Sequence, residues 1–460
     1  MSLADQQKTF ILTAPLPRVM VKLALPAIAA MVLYGLNAFM DTVYIGQLLD
    51  ETALTGVALA YPLTSILLGL GSWTGTGAAN LLSIALGSND QERQQKLLAN
   101  STLLGLILTV LFAVPAYIFA TPLIQMMGGA GDILTEGVTY FRITMLAAPL
   151  WVYGLSLNLV IRGEGKMKTA AIMMSFGLIV NLILTPIFIT QFNMGVEGAA
   201  WATNIGMLIY CLAGYWYFQS GRASFEANIS SLKYDKDVFQ AVLKSGFPGF
   251  IITVMGLIQA LVVFRAIVQV GDADDLAFFA AANRILLFLM TPLFGLMRAL
   301  QPIAGINYGA ADFVRVKSSF MLFVKTGFYL VVPFWIFLSL FPELSLRMVL
   351  PDMRFTAQDF TNLRIYMLVL PILPIIFMAL TFFPAIEEEK YGSLLGLARQ
   401  LVFYLPIMLV LPRFFGVEWV YYASTIIDVI ITVWGGLILY QLFRTKLNTS
   451  SAEFVSRGPA

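Results

Sequence analysis

A chain of 460 residues in which 59% are hydrophobic and 12% charged is too apolar for an ordinary soluble domain and belongs in a bilayer. Its net charge of +2 comes from basic residues scattered over many short connections, which excludes a nucleic-acid patch, and the single Cys211 excludes an intramolecular disulfide framework. With no histidine anywhere, a proton relay would have to be built without imidazole, so its carrier must be a carboxylate.

Twelve apolar segments long enough to cross the hydrocarbon core as helices are expected at 23–47, 55–86, 98–119, 137–161, 169–190, 197–219, 244–270, 277–308, 317–341, 360–385, 393–412 and 419–443. The first has no Ala-x-Ala-like cleavage site before it and is expected to be retained. Lys and Arg in the connections number 18 on one side, among them Arg162, Lys166 and Lys168 after the fourth span. The other side holds three, Arg347, Arg354 and Arg413. By the positive-inside rule both termini are expected in the cytoplasm.

An internal repeat is visible at one spacing. Adding 222 takes Pro26 to Pro248, Gly87 to Gly309, Arg93 to Arg315, Met145 to Met367 and Pro149 to Pro371, and at 221 Gly195-Val-Glu197 meets Gly416-Val-Glu418. Each half holds an even number of spans, so both enter the membrane the same way up. The expected fold is an all-α integral membrane protein with twelve transmembrane helices in two pseudo-symmetric six-helix lobes around a cleft. An N-terminal lobe is expected over 1–220, a cytoplasmic linker over 221–243, a C-terminal lobe over 244–446 and a disordered tail over 447–460.

The first span carries one charge, Asp41, in the stretch NAFMDTVYIGQL, whereas the equivalent place in the second half is Val263. A charge at mid-span costs roughly 2.5 to 3.5 kcal/mol on insertion scales, enough for a modest pH difference to load and unload a carboxyl group placed there. Asp41 is therefore expected to carry a proton; the alternative is a structural acid paired with a neighbouring helix. Tyr34, Asn37 and Tyr44 share its helix face. Asn158 in the fourth span, Asn181 and Thr185 in the fifth, and Thr203 and Asn204 in the sixth are candidates to line the same lobe, with interhelical hydrogen bonding as the alternative for each. Pro26, fifteen residues before Asp41, removes a backbone hydrogen bond and is expected to act either as a hinge or as a static kink.

Asp428 is the other acid deep in a span and is expected to form a structural pair with Arg284, Arg298, Lys325 or Arg399; alternatively Arg284 and Arg298, fourteen residues apart, line the cleft. Aromatic and methionine side chains facing the cleft would suit organic cations. Neither HExxH, GxSxG nor GxxxxGK[ST] occurs, so an intramembrane enzyme and an ATP-driven pump are both disfavoured and an ion gradient is expected to supply the energy.

The Pro26 segment ending in MDTVYIGQL, the ALGSND junction, RGEGKMK, NLILTPIFI, GVEGAAWAT and QPIAGINYGA together resemble the multidrug and toxic compound extrusion (MATE) family, in its DinF-type branch, over nearly the whole chain. The resemblance implies drug efflux driven by inward H+ movement; the expected protein is a monomeric exporter of small, often cationic drugs in the bacterial inner membrane, with no cofactor or metal. It assigns the proton to Asp41, the bend to Pro26, and a partner role to Asn158, Asn181 and Thr203. Two positions depart from the family pattern. Thr185 stands where members often have Asp, and the seventh span offers Gln259 and Arg265 but no acid, so a Na+ site in the second lobe is not expected. A flippase for a lipid-linked precursor and a Na+-coupled antiporter are the competing readings.

Overall fold

The structure, a computed structural model, describes residues 3–227, 233–351 and 353–448. Among these residues there is no strand. The helices are α1 (Leu3–Thr13), α2 (Leu16–Leu48), α3 (Glu51–Ser88), α4 (Gln91–Ile118), α5 (Ala120–Met126), α6 (Gly131–Leu146), α7 (Ala148–Gly163), α8 (Met167–Thr190) and α9 (Gly195–Gln219) in the first half. The second half holds α10 (Lys236–Val270), α11 (Ala273–Gly309), α12 (Phe313–Leu340), α13 (Pro342–Arg347), α14 (Ala357–Met367), α15 (Leu373–Ala385), α16 (Glu389–Leu397), α17 (Leu405–Phe415) and α18 (Trp419–Arg444), with a π-helical stretch Ala398–Tyr404 joining α16 to α17. Together they form the twelve-span, two-lobed architecture.

Two of the expected spans are broken, and at corresponding places. The fourth is α6 plus α7, bent by 55°, and the tenth is α14 plus α15. Pro149 lies in the first turn of α7 and Pro371 just before α15. Proline has no N–H to bond back into the preceding helix and disfavours helical geometry in the residue before it, so the repeated proline breaks each span.

The repeat also extends to helix starts. Asp50 and Asp90 accept the backbone N–H of Ala53 and Arg93 at the heads of α3 and α4, and Asp272 and Asp312, each 222 further on, do the same for α11 and α12. The turns before the second of each pair run through left-handed residues, Asn89 at φ 60° and Ala311 at φ 57°.

The lobes meet where these turns lie, on the face that also carries the α7–α8 connection. There α3 crosses α11 with no room for a side chain: a Cβ at Gly87 would sit inside the contact radius of the Ile306 carbonyl oxygen, and one at Gly309 inside that of Ile84. Spaced by 222, these contacts are the two halves of one symmetric crossing. Nearby, Gly77 and Gly246 bring α3 against α10, and Gly295 brings α11 against Ile28 of α2. Toward the opposite face a Cβ at Gly35 or Gly256 would meet nothing within 4 Å.

The helix α1 was not expected. It lies across the crossing: Gln7 donates to the Gly165 carbonyl of the first lobe at 3.0 Å, and Arg315 of the second donates to the carbonyls of Ile11, at 2.8 Å, and Ala14. The described end of the interlobe segment is also fastened, because Asn100 of α4 donates to Lys233 O at 3.3 Å and accepts from Asp235 N at 3.0 Å. Of the expected tail, Leu447 is buried, and residues 449–460 lie outside the described residues, as do 228–232 of the expected linker.

Candidate functional site

Tyr34, Asn37 and Asp41 stand in one row on α2, and that row faces α8 and α9. Asn37 is buried against α8, where Asn181 reaches back. The Asn181 amide is assigned with its nitrogen toward Asp41, since the reverse would set a carbonyl oxygen against the carboxylate. So placed, it donates to Asp41 Oδ1 at 3.1 Å and its oxygen accepts from Thr203 N at 3.3 Å, while the Asn37 amide, 2.6 Å away, has to turn its own oxygen toward the Asn181 nitrogen. Turned over, its nitrogen would face Thr203 Oγ1 at 3.1 Å and Thr185 Oγ1 at 3.3 Å. Thr185 donates to the Asn181 carbonyl at 2.9 Å and Thr203 to Ala199 O at 2.9 Å, which fixes both hydroxyls one helical turn from their own acceptors. Asn181 thus meets the carboxylate directly, and Asn37, Thr185 and Thr203 surround its amide from three helices.

Tyr140 of α6 completes the cluster. It is buried within electrostatic reach of Asp41 and beside Thr203. Nothing in the sequence singled it out, because a tyrosine in an apolar helix reads as an ordinary interface residue. Beneath the cluster is a cavity of about 70 Å³ bounded by Tyr34, Asn37, Trp151, Met174, Asn181 and Tyr210, among others. Its walls are chiefly apolar, as for an organic ligand, although the volume in this conformation is smaller than a drug-sized molecule needs.

Asn158 does not join Asp41. Its amide donates to Ala170 O at 2.7 Å and its oxygen accepts from Arg162 Nε at 2.8 Å, so both ends are engaged elsewhere. Asn204 likewise turns to α6, donating to Ile143 O at 2.7 Å. Arg162 itself corrects the expectation that it belongs to a connection: α7 continues to Gly163, and the arginine on its last turn points inward, 3% exposed.

The second lobe is built differently. Arg399 Nε lies 2.7 Å from Asp428 Oδ1, and its Nη1 donates at 2.9 Å to Gln259, which also accepts from Gln400 at 2.8 Å. Of the four bases considered for Asp428, Arg399 is therefore the one it meets. Adding 222 to Gly177 and Gly206 gives these two positions, and in the first lobe the glycines bring α8 and α9 into backbone contact, a Gly177 Cβ falling 2.7 Å from Gly206 O. One lobe has an ion pair where the other has bare backbone. Val263, the counterpart of Asp41, is buried and apolar. Arg284 lies exposed on α11, and Arg298, on the same helix, sits near Arg162 and Tyr210 of the first lobe.

Removing one partner from a buried pair leaves the other charge unmatched, so Asp428→Asn is expected to destabilise the protein by up to about 3 kcal/mol, read as a lower melting midpoint in detergent, with Arg399→Met/Asp428→Leu recovering most of the loss. A D428N midpoint equal to that of the unmodified chain would show the pair to be energetically idle.

The chain is 22% identical over 451 residues to the multidrug export protein MepA of Staphylococcus aureus strain MRSA252, covering 98% of this chain and 99% of that one. Two solved structures share its fold: an outward-facing multidrug resistance MATE family transporter of the MOP superfamily, 22% identical over 96% of this chain and 99% of the other with a TM-score of 0.87, and a MATE in the bent conformation, 21% identical over 98% and 100% with a TM-score of 0.88. The family model described as MatE matches residues 26–187 and again 246–410, one stretch in each lobe, and the chain belongs to that family.

Proposed function

We propose that this chain is a multidrug efflux antiporter that exports amphipathic, often cationic, small molecules in exchange for inward H+, with Asp41 as the proton site and α2 as the moving element. It works as a monomer in the bacterial inner membrane with both termini cytoplasmic. The observation that carries this is a buried polar cluster around one intramembrane carboxylate, in which Asn181 meets Asp41, Asn37, Thr185 and Thr203 surround Asn181 and Tyr140 lies within electrostatic reach, beside an apolar cavity. The multidrug role of MepA and of the outward-facing fold relative agrees with it.

The amide of Asn181 connects protonation to structure. Ionised Asp41 accepts, so the amide presents nitrogen to it and oxygen to Thr203. Protonated Asp41 donates, which favours the turned amide, with oxygen toward Asp41 and nitrogen toward Thr185 and Thr203. Each state satisfies a different set of partners on α8 and α9. A change in what α2 holds by Asp41 therefore biases its packing, and the bend is assigned to Pro26, fifteen residues away beside the Ile28–Gly295 crossing in a helix that is continuous here. The closed contacts at Gly87 and Gly309 lie on the cytoplasmic face in this orientation, so the cleft opens outward.

The test is dye accumulation in proteoliposomes made acidic inside, with and without a Na+ gradient. Accumulation should follow the pH gradient and vanish on its collapse; equal accumulation driven by Na+ alone would overturn proton coupling. Pro26→Ala should slow transport several-fold with dye binding retained, and an unchanged rate would remove the hinge.

A further inference from the structure

Behind the cavity wall formed by Met174 and Tyr210 lies an electrostatic imbalance that the proton mechanism does not use. Arg162 of α7 is 3% exposed and has two side-chain contacts, Nε to Asn158 Oδ1 at 2.8 Å and Nη2 to Met174 Sδ at 3.8 Å. Neither is a carboxylate. Tyr210 of α9, 6% exposed, lines the cavity, and among the described residues its Oη has no hydrogen-bond partner. Arg298 reaches the same place from α11 of the other lobe. Within its electrostatic reach are a like charge, Arg162, and the neutral hydroxyl of Tyr210, and it too has no hydrogen-bond partner among the described residues.

The acids that might balance these cations are engaged elsewhere. Glu164, two residues along the chain, accepts through Oε2 from Lys166 Nζ at 2.9 Å, from Tyr217 Oη at 3.0 Å and from Ser224 N at 2.7 Å, and although its Oε1 is buried without a partner among the described residues, it is not among the groups that act on Arg162. Asp428 is held by Arg399. A guanidinium cannot shed its proton to escape the cost of burial, so two of them on touching helices, α7 and α11, within electrostatic reach of each other and without a carboxylate partner among the described residues, call for an anion from outside the chain. The available donors are two planar guanidinium groups and one hydroxyl, a set that matches the oxygens of a carboxylate or phosphate. The adjoining wall, with Met174, Leu178, Trp151 and Met207, accepts an apolar body.

We propose that Arg162, Arg298 and Tyr210 form a site, shared between the two lobes, for the oxyanion head group of an amphipathic molecule, a carboxylate or a phosphate. Because the site lies between lobes, filling it adds an attraction across the cleft while Asp41, joined to the same cavity through Asn181, handles the proton. The chain then handles anionic or zwitterionic amphiphiles as well as cations. The efflux reading supplies only the direction of transport; the site itself is tested at equilibrium without any ion gradient, so failure of proton coupling and failure of this site give separate results.

The experiment measures binding of dansylaminoundecanoic acid, and of the same dansyl-alkyl chain ending in trimethylammonium, to the full chain in phosphatidylcholine nanodiscs. The carboxylate probe is expected to bind the unmodified chain, with affinity falling about tenfold or more in Arg298→Gln and less in Arg298→Lys, while the ammonium probe binds both variants at least as well as before. Tyr210→Phe, which removes only the hydroxyl, should weaken the carboxylate probe several-fold and serves as a second variant free of any charge change. Competition by dodecyl phosphate alone identifies a soluble amphiphile as the natural occupant, and competition by added phosphatidylglycerol identifies a lipid head group; either supports the site. Carboxylate binding that is undiminished in R298Q and Y210F, or absent from the unmodified chain, overturns it.

Discussion

Asp41→Asn is expected to abolish proton-driven transport while leaving the protein folded and able to bind drug. The amide matches the carboxylate in size and can stay within the 3.1 Å contact with Asn181, but it has no proton to exchange. Removing an ionisable group from a membrane helix also removes an insertion cost of roughly 2.5 to 3.5 kcal/mol, so loss of activity through misfolding is not expected. In everted vesicles, where export is read as uptake into the lumen, the variant should show no dye uptake above the empty membrane at any pH, with monodispersity and melting midpoint preserved. Dye binding, which in the unmodified chain should weaken as Asp41 takes up its proton, should become independent of pH. Efflux at the unmodified rate, or a pH dependence of binding that survives the substitution, would mean the proton travels elsewhere. Asn181→Ala offers an intermediate case: it keeps the acid but deletes the group that senses its state, so coupling should loosen, with dye moving less per proton.

Much of this arrangement was legible because membrane helices impose simple periodicities. The row Tyr34, Asn37, Asp41 follows from helical spacing alone, and the repeat at 222 residues paired Gly87 with Gly309, although that the two helices cross there comes only from the packing. Both broken spans were within reach of the same spacing, since Pro149 and Pro371 had been paired, yet apolar length outweighed them. What a linear reading misses is the direction in which a side chain turns at a helix end. Arg162 sits in RGEGKMK, which reads as a basic junction, but α7 continues to Gly163 and points the guanidinium inward. That misplacement also explains Asn158: with its arginine neighbour one turn away in the core, the amide pairs there and not with Asp41. The helix α1 was overlooked because its contacts are to backbone carbonyls and a single buried Ile11, neither of which leaves a strong pattern. The Arg399–Asp428 pair had four candidate bases in the sequence, and only packing selects among them.

Gly309→Ala is expected to open the face that this conformation closes. Its Cβ would enter the Ile84 carbonyl oxygen and lie 2.9 Å from the Ile84 carbonyl carbon, both backbone atoms that cannot rotate away. Gly87→Ala would do the same to Ile306, with Ala310 N and Gly309 Cα both at 2.9 Å. Overpacking of this kind costs about 1 to 3 kcal/mol, and the cost falls only on the state in which α3 touches α11. At about 1.4 kcal/mol per factor of ten, either substitution moves the population of the closed state by roughly one to two decades. Spin labels placed by Glu92→Cys and Val314→Cys in a Cys211→Ser chain report this directly, because both positions are exposed, stand next to the two turns and differ by 222. The distance distribution should lengthen in G309A and in G87A, most in the double variant, and stay fixed in Gly436→Ala, where a Cβ meets nothing within 4 Å. Transport should fall in parallel, since a cleft that cannot close on one face leaks its cargo back. If labels on all variants keep the unmodified distance, the glycine crossing is not the closure, and the seal must be sought in α1, which binds both lobes across the same face.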